Sequence, residues 1–272
     1  KAPYCLNSVF DQLKDTEDYE RFYSTISEKA KFVFTIPAYV TGLLLFYSGI
    51  LIGDTIKKQQ LDHIKRVDVL TFGKGGRLFH WLREPAGTNA TERYYADCLN
   101  AGLHLMIDRE VEVRYRTDIE VDNKSEVAKG LVQPKEVVKA ESLNQKDLCG
   151  ETDVQYLQDN EASITLQADD ELSGEYFADN MNRLSFSGTK NFEVFMNIFC
   201  DFVSHKTKLY AKAEDLREDL VDLSDRIASF VTEDDEYKKA LRHQSGEFPY
   251  HQPLIIAEGA CFLKTVIKKI FV

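Results

Sequence analysis

The sequence predicts an α/β unit followed by a mainly α-helical module. A β-branched run, Val67 to Phe72, breaks into a glycine turn and has segments of helical spacing on both sides. A second run, Val111 to Ile119, alternates apolar and polar residues, as a half-buried strand does. From Phe192 onward, apolar residues recur mostly at helical spacing. The division is placed near residue 140, giving an α/β half over 1–140 and an acidic, mainly helical module over 141–272.

Residues 9–31 read as one or two charged amphipathic helices around Phe10, Leu13, Tyr19, Phe22 and Tyr23. From Phe32 to Gly53 there is no charged residue, a length that can span a bilayer. Pro37 suits a first helical turn, so regular helix is expected from about residue 38, too short before Asp54 for a comfortable span. Gly42, Ser48, Gly49 and Gly53 offer a small-residue face for close packing. The expectation is a buried core helix, with a membrane span as the lesser reading.

The strand Val67–Phe72 ends at Gly73-Lys74-Gly75-Gly76-Arg77, and Leu78–Leu82 resumes helical spacing. Thr91–Met106 reads as a helix whose inner face carries Tyr94 or Tyr95, Cys98 or Leu99, and Leu103 or Met106. After the strand Val111–Ile119, Ser125 is a good N-cap for a short helix, Glu126–Val132. Between Asp147 and Asn182 there is no Lys or Arg, while acids accumulate. A solvated acidic face is the better account, because the spacing of a calcium loop is absent. Within that stretch Ser163–Gln167 reads as a strand.

In the second half Phe192, Phe195, Met196, Phe199, Phe202 and Val203 form one apolar helical stripe. Leu216, Leu220, Leu223, Ile227 and Phe230 recur at alternating steps of four and three on an acidic helix. Two heptads suit packing on one neighbouring helix, and suggest a protein partner or self-association. A last helix is expected over Leu254–Ile270.

Composition narrows the function classes. The 272 residues include 17 Phe, 13 Tyr and a Trp, which excludes wholesale disorder. A net charge of −11 argues against a broad nucleic-acid surface. Cys5, Cys98, Cys149, Cys200 and Cys261 are scattered, without a CxxC pair. They read as reduced, mostly buried thiols of a cytoplasmic protein. Asn89 and Asn123 begin glycosylation sequons that would matter only in a secreted chain. The opening KAPYCLN has neither Met nor leader character, and is expected to be cut from something longer.

The turn Gly73–Arg77 is the local motif with a mechanism attached. Glycines let backbone approach a ligand closely, and a following helix presents free N–H groups. Lys74 and Arg77 add positive charge. The turn matches neither GxxxxGK[ST] nor GxGxxG. The structural alternative is a tight strand-to-helix turn with solvated cations. No metal-ligand spacing is recognised. Cys200 near His205 reads as a buried inert thiol, and His251 as a hydrogen-bonded loop residue.

In order and pattern, residues 30–135 resemble the carboxyl-terminal half of the actin/Hsp70/sugar-kinase ATPase superfamily. The corresponding pieces are the helix Ala38–Ile56, the strand Val67–Phe72 with Gly73-Lys-Gly-Gly-Arg77, Leu78–Leu82, Val111–Ile119, and Asp122-Asn-Lys-Ser-Glu-Val-Ala-Lys-Gly-Leu131. The resemblance implies a ribonuclease-H-like fold for the first half. It also implies ATP or ADP as ligand, with Mg in the full-length protein. Gly75 and Gly76 would lie against adenine and ribose, with Gly73, Lys74 and Arg77 beside them. The superfamily's phosphate loops do not appear, and Gly53-Asp54-Thr55 sits in a helical stretch. The resemblance therefore implies half a nucleotide site, inactive alone. The alternative is a non-enzymatic interaction module on a degenerate scaffold of this kind.

Overall fold

A 31-residue helix, α1 (Glu28–Lys58), organises the protein. It belongs to a computed structural model that describes residues 24–69, 90–115, 147–157, 162–171, 183–204, 223–231, 233–234 and 253–271. The Ser27 hydroxyl caps α1 by accepting from the Ala30 amide at 3.3 Å. Glu28 at its start and Lys57 and Lys58 at its end match the helix dipole. The helix begins ten residues earlier than the sequence suggests, and Pro37 lies inside it. Proline withholds one N–H from the Val33 carbonyl. The apolar packing of the flanking turns, with Phe32, Ala38 and Tyr39 buried, carries the helix through.

By length and composition α1 could cross a membrane, but 56% of its most apolar window is buried against the rest of the chain. It is followed by β1 (Arg66–Val69), α2 (Ala90–His104) and β2 (Glu112–Tyr115). The strands pair in parallel, from Arg66 opposite Glu112 to Val69 opposite Tyr115. Parallel neighbours need a crossover, and α2 lies within it. Described residues of the predicted strands end at Val69 and Tyr115. The short helices predicted over Leu78–Leu82 and Glu126–Val132 lie outside the described residues.

The α1–α2 contact is close because both helices present glycine there. A Cβ on Gly49 would stand 2.1 Å from the Leu99 carbonyl oxygen, and one on Gly102 would stand 1.9 Å from that of Phe46. Gly53 likewise faces Met106. The predicted small-residue face is thus real for its glycines, whereas Ser48 turns its hydroxyl to the Leu44 carbonyl. All six inner-face candidates of α2 are buried.

The second half adds a three-stranded antiparallel sheet, ordered β4 (Ser163–Leu166), β3 (Val154–Leu157), β5 (Leu184–Phe186). The strand expected at Ser163–Gln167 is β4; β3 and β5 are additional to the sequence reading. Helices α3 (Lys190–Ser204) and α4 (Leu254–Phe271) follow, with a helical run over 223–231 between them. The predicted α3 stripe is buried in full. Tyr39 joins three helices: its ring meets Phe195 and Phe199 edge-on at 5.4 and 5.1 Å and stacks near Phe262. Its hydroxyl donates to the Gly259 carbonyl at 2.8 Å.

One hydrophobic core contains Phe46 and Leu103 from the first half together with Leu148, Phe195 and Phe262 from the second. A smaller core under the antiparallel sheet holds Val154, Phe186, Ile227 and Leu254. Leu223 and Ile227, two members of the heptad pattern, are buried inside these cores. Leu216 and Leu220 lie outside the described residues.

Gly49→Ala tests the helix contact. Helix propensity alone would favour alanine by about 1 kcal/mol, but the methyl meets backbone that has to move. Net destabilisation of about 1–3 kcal/mol is expected in urea unfolding. Ser48→Ala, one residue away, should stay within about 0.5 kcal/mol of the parent.

Candidate functional site

Gly73, Lys74, Gly75, Gly76 and Arg77 lie outside the described residues, as do His205 and His251. The described elements place the ends of that connection: it leaves β1 after Val69 and enters α2 at Ala90. A loop at the carboxyl end of a parallel strand is where open α/β sheets bind ligands. Arg109, beyond α2, anchors the approach to β1 by donating to the Leu61 carbonyl at 2.9 Å and to that of Asp62. The Glu112 amide then donates to the Lys65 carbonyl, which starts the parallel pairing. Gly53-Asp54-Thr55 is helical, as the sequence reading holds, and Asp54 pairs with Lys58 at 3.0 Å.

A second concentration of chemistry lies where the segment Leu148–Thr152 passes between α1, α3 and α4. Leu148 donates its amide to the Tyr47 hydroxyl at 3.0 Å. Gly150 has φ of +78° with Ile255 packed against it, a backbone state that suits glycine. Glu151 is fully buried. Its carboxylate accepts from the amides of Asn191 and Phe192 in the first turn of α3, and from Thr152, at 2.8–3.1 Å. An acid from forty residues away thus caps this helix, satisfying amides that the turn itself cannot. Burial pushes the Glu151 carboxyl above its ordinary range, with the Asn191, Thr152 and Phe192 amides pulling it back.

Beside it lies Glu258 of α4, also fully buried. Neither of its oxygens meets an N–H or hydroxyl donor among the described residues. The group within hydrogen-bonding reach is the Glu151 carboxylate. Burial first, then the Glu151 charge, raises the Glu258 carboxyl far above the usual range. Sequence reasoning missed this pair, because Glu151 disappears among solvated acids. Glu258 left a signal: it is the lone charge between Leu254 and Leu263.

The other described acids between Asp147 and Asn182 are half-buried or exposed. Asp169 and Glu171 reach Lys57 and Lys58 at 2.9 and 3.4 Å. An open cleft of about 320 Å³ lies between the 223–231 run and α4, lined by Arg226, Phe230, Lys264 and Lys268 among others. Lys264 bridges Asp234 at 2.5 Å. Cys261 borders the cleft, and burial pushes its thiol up to about 11, so it is protonated and a weak nucleophile at neutral pH. Cys98, Cys149 and Cys200 are buried. Among the described residues no group of three His, Cys, Asp or Glu side chains is placed to hold a metal ion.

Comparison with family models, with curated proteins and with solved structures yields no match for this chain.

Replacing Glu151 by alanine should remove the acceptor for three amides, and cost at least about 2 kcal/mol. Glu151→Gln keeps one acceptor oxygen and should lose less. Chemical unfolding of the two variants beside the parent measures the difference.

Proposed function

We propose that the chain is the adenosine-side half of an actin/Hsp70-like ATP-binding protein of the cytoplasm, its first half a ribonuclease-H-like unit. The observation that carries this reading is the parallel pairing of β1 with β2 around α2. On this reading the connection that begins after Val69 of β1, and contains Gly73–Arg77, supplies the ligand loop at the carboxyl end of that strand. The same order of helix, strand, glycine turn, helix and strand carries the resemblance described above.

On this reading Gly75 and Gly76 lie against the nucleoside, where absent side chains permit close approach. Gly73, Lys74 and Arg77 complete the turn, and the two cations supply charge for the ligand. The superfamily's phosphate loops belong to a longer polypeptide, so ATP binding with Mg is completed there. Hydrolysis is assigned to that assembly and not to this half.

The competing reading is a module that binds a protein partner and no nucleotide. Its heptad support is reduced, because Leu223 and Ile227 are already covered by this chain's own core. Calorimetry with ATP and ADP, on this chain and on the longer polypeptide the proposal implies, separates the two readings. Nucleotide should bind the longer form, and Lys74→Ala with Arg77→Ala should weaken it about tenfold or more, the effect of losing one or two charge-assisted contacts. Absence of binding by both folded forms would overturn the nucleotide reading and favour the interaction module.

A further inference from the structure

Two fully buried carboxyl groups, Glu151 and Glu258, lie on chain segments that meet at the Cys149–Ile255 hydrogen bond and the Gly150–Ile255 contact, and the groups acting most strongly on Glu258 are all acidic. Glu151 and Asp153 face it from the strand-linked segment, and Cys261 from its own helix. Tyr39 of α1 and Cys149 also feel its charge. Glu151 spends its oxygens on three amides, whereas Glu258 has no N–H or hydroxyl donor among the described residues. Two ionised carboxylates cannot share such a dry position, because like charges and burial both oppose the second ionisation.

We propose that Glu151 and Glu258 share one proton, and that this proton latches the first turns of α4 onto the Leu148–Thr152 segment and the start of α3. The proton sits on Glu258, the oxygen pair without other partners among the described residues, and is donated to Glu151. Glu151 keeps its charge because the amides of α3 prefer an anion. The surrounding geometry makes the latch matter. Ile255 packs on Gly150, the Ile255 amide points at the Cys149 carbonyl, and Tyr39 holds the Gly259 carbonyl. Losing the proton puts two anions at the point where these contacts converge, so α4 is expected to withdraw there first.

The direction of the pH effect follows. The folded protein keeps a proton that the unfolded chain releases near the ordinary glutamate value, about pH 4.3. Above that value the folded state binds more protons than the unfolded state, so this pair makes stability fall as pH rises. The folded-to-unfolded ratio should drop by up to about tenfold per pH unit until Glu258 ionises in the folded protein.

Infrared spectroscopy of the unmodified protein should show a protonated carboxyl band at neutral pH that Glu258→Gln removes. In unfolding measured between about pH 5 and 8, the window above the ordinary glutamate value, the parent should carry a downward slope that Glu258→Gln lacks. Glu258→Met, also neutral and of similar length, should lack it too if the glutamine variant fails to fold. Parallel profiles for parent and variants, or no Glu258-dependent carboxyl band, would overturn the proposal. Recovery of stability on adding calcium or potassium, without that band, would place a cation between the carboxylates and overturn it equally.

Discussion

Helices α1 and α2 meet main chain to main chain, and most of the described architecture is built on that contact. Gly49 and Gly102 each face a carbonyl of the other helix closer than a methyl group can stand. Glycine costs helix stability because its backbone loses more freedom on folding. Here that cost is offset by dispersion contacts and by the burial of Phe46, Ile50, Leu99 and Leu103 around the crossing. An adjoining side of α1 receives the aromatic stripe of α3, with Tyr39 between Phe195 and Phe199 and Phe46 beside Phe195. Tyr94 of α2 stacks on Phe202 at 4.4 Å and donates its hydroxyl to the Ala38 carbonyl. The two sheets lie outside this helical layer and are short by comparison.

Several buried polar groups gather around one segment that crosses the same packing. Segment Leu148–Thr152 carries a positive-φ glycine, a buried thiol and a buried acid in five residues. Each finds a partner on a different helix or within the segment, so several elements fix its course. Glu151 shows how the first amides of a helix, here those following Thr189, are satisfied by tertiary structure. The cysteines are the contrasting case, since burial makes the Cys98 and Cys149 thiols harder to ionise and leaves them as small apolar packing groups.

Much of the helical framework is legible in the sequence, because helix periodicity survives burial on one face. The Phe192–Val203 stripe, the inner residues of α2 and the glycine face of α1 are all read from spacing alone. The start of α1 is misread because Pro37 reads locally as a first-turn residue, yet tertiary packing on both sides outweighs one missing hydrogen bond. Strands β3 and β5 are missed for a different reason. Three or four residues give too little alternation to count, and their partners are supplied by distant chain. Glu151 and Glu258 illustrate a further limit. Their meaning lies in being neighbours, which no local pattern encodes, although the isolation of Glu258 in an apolar helix was visible. The glycine turn is legible as a motif, and the chain that carries it runs from β1 to α2 outside the described residues.

The hydrogen bond from Tyr39 to Gly259 spans nearly the whole chain, and it has a bearing on biosynthesis. Helix α1 leaves the ribosome long before α4, which supplies Phe262 and Val266 to the same core. At ordinary translation rates the interval is roughly ten to forty seconds. Throughout it, an uncharged segment able to pass for a membrane span has no α4 to cover it. During that interval α2, which is made first, supplies the partner for the glycine face of α1.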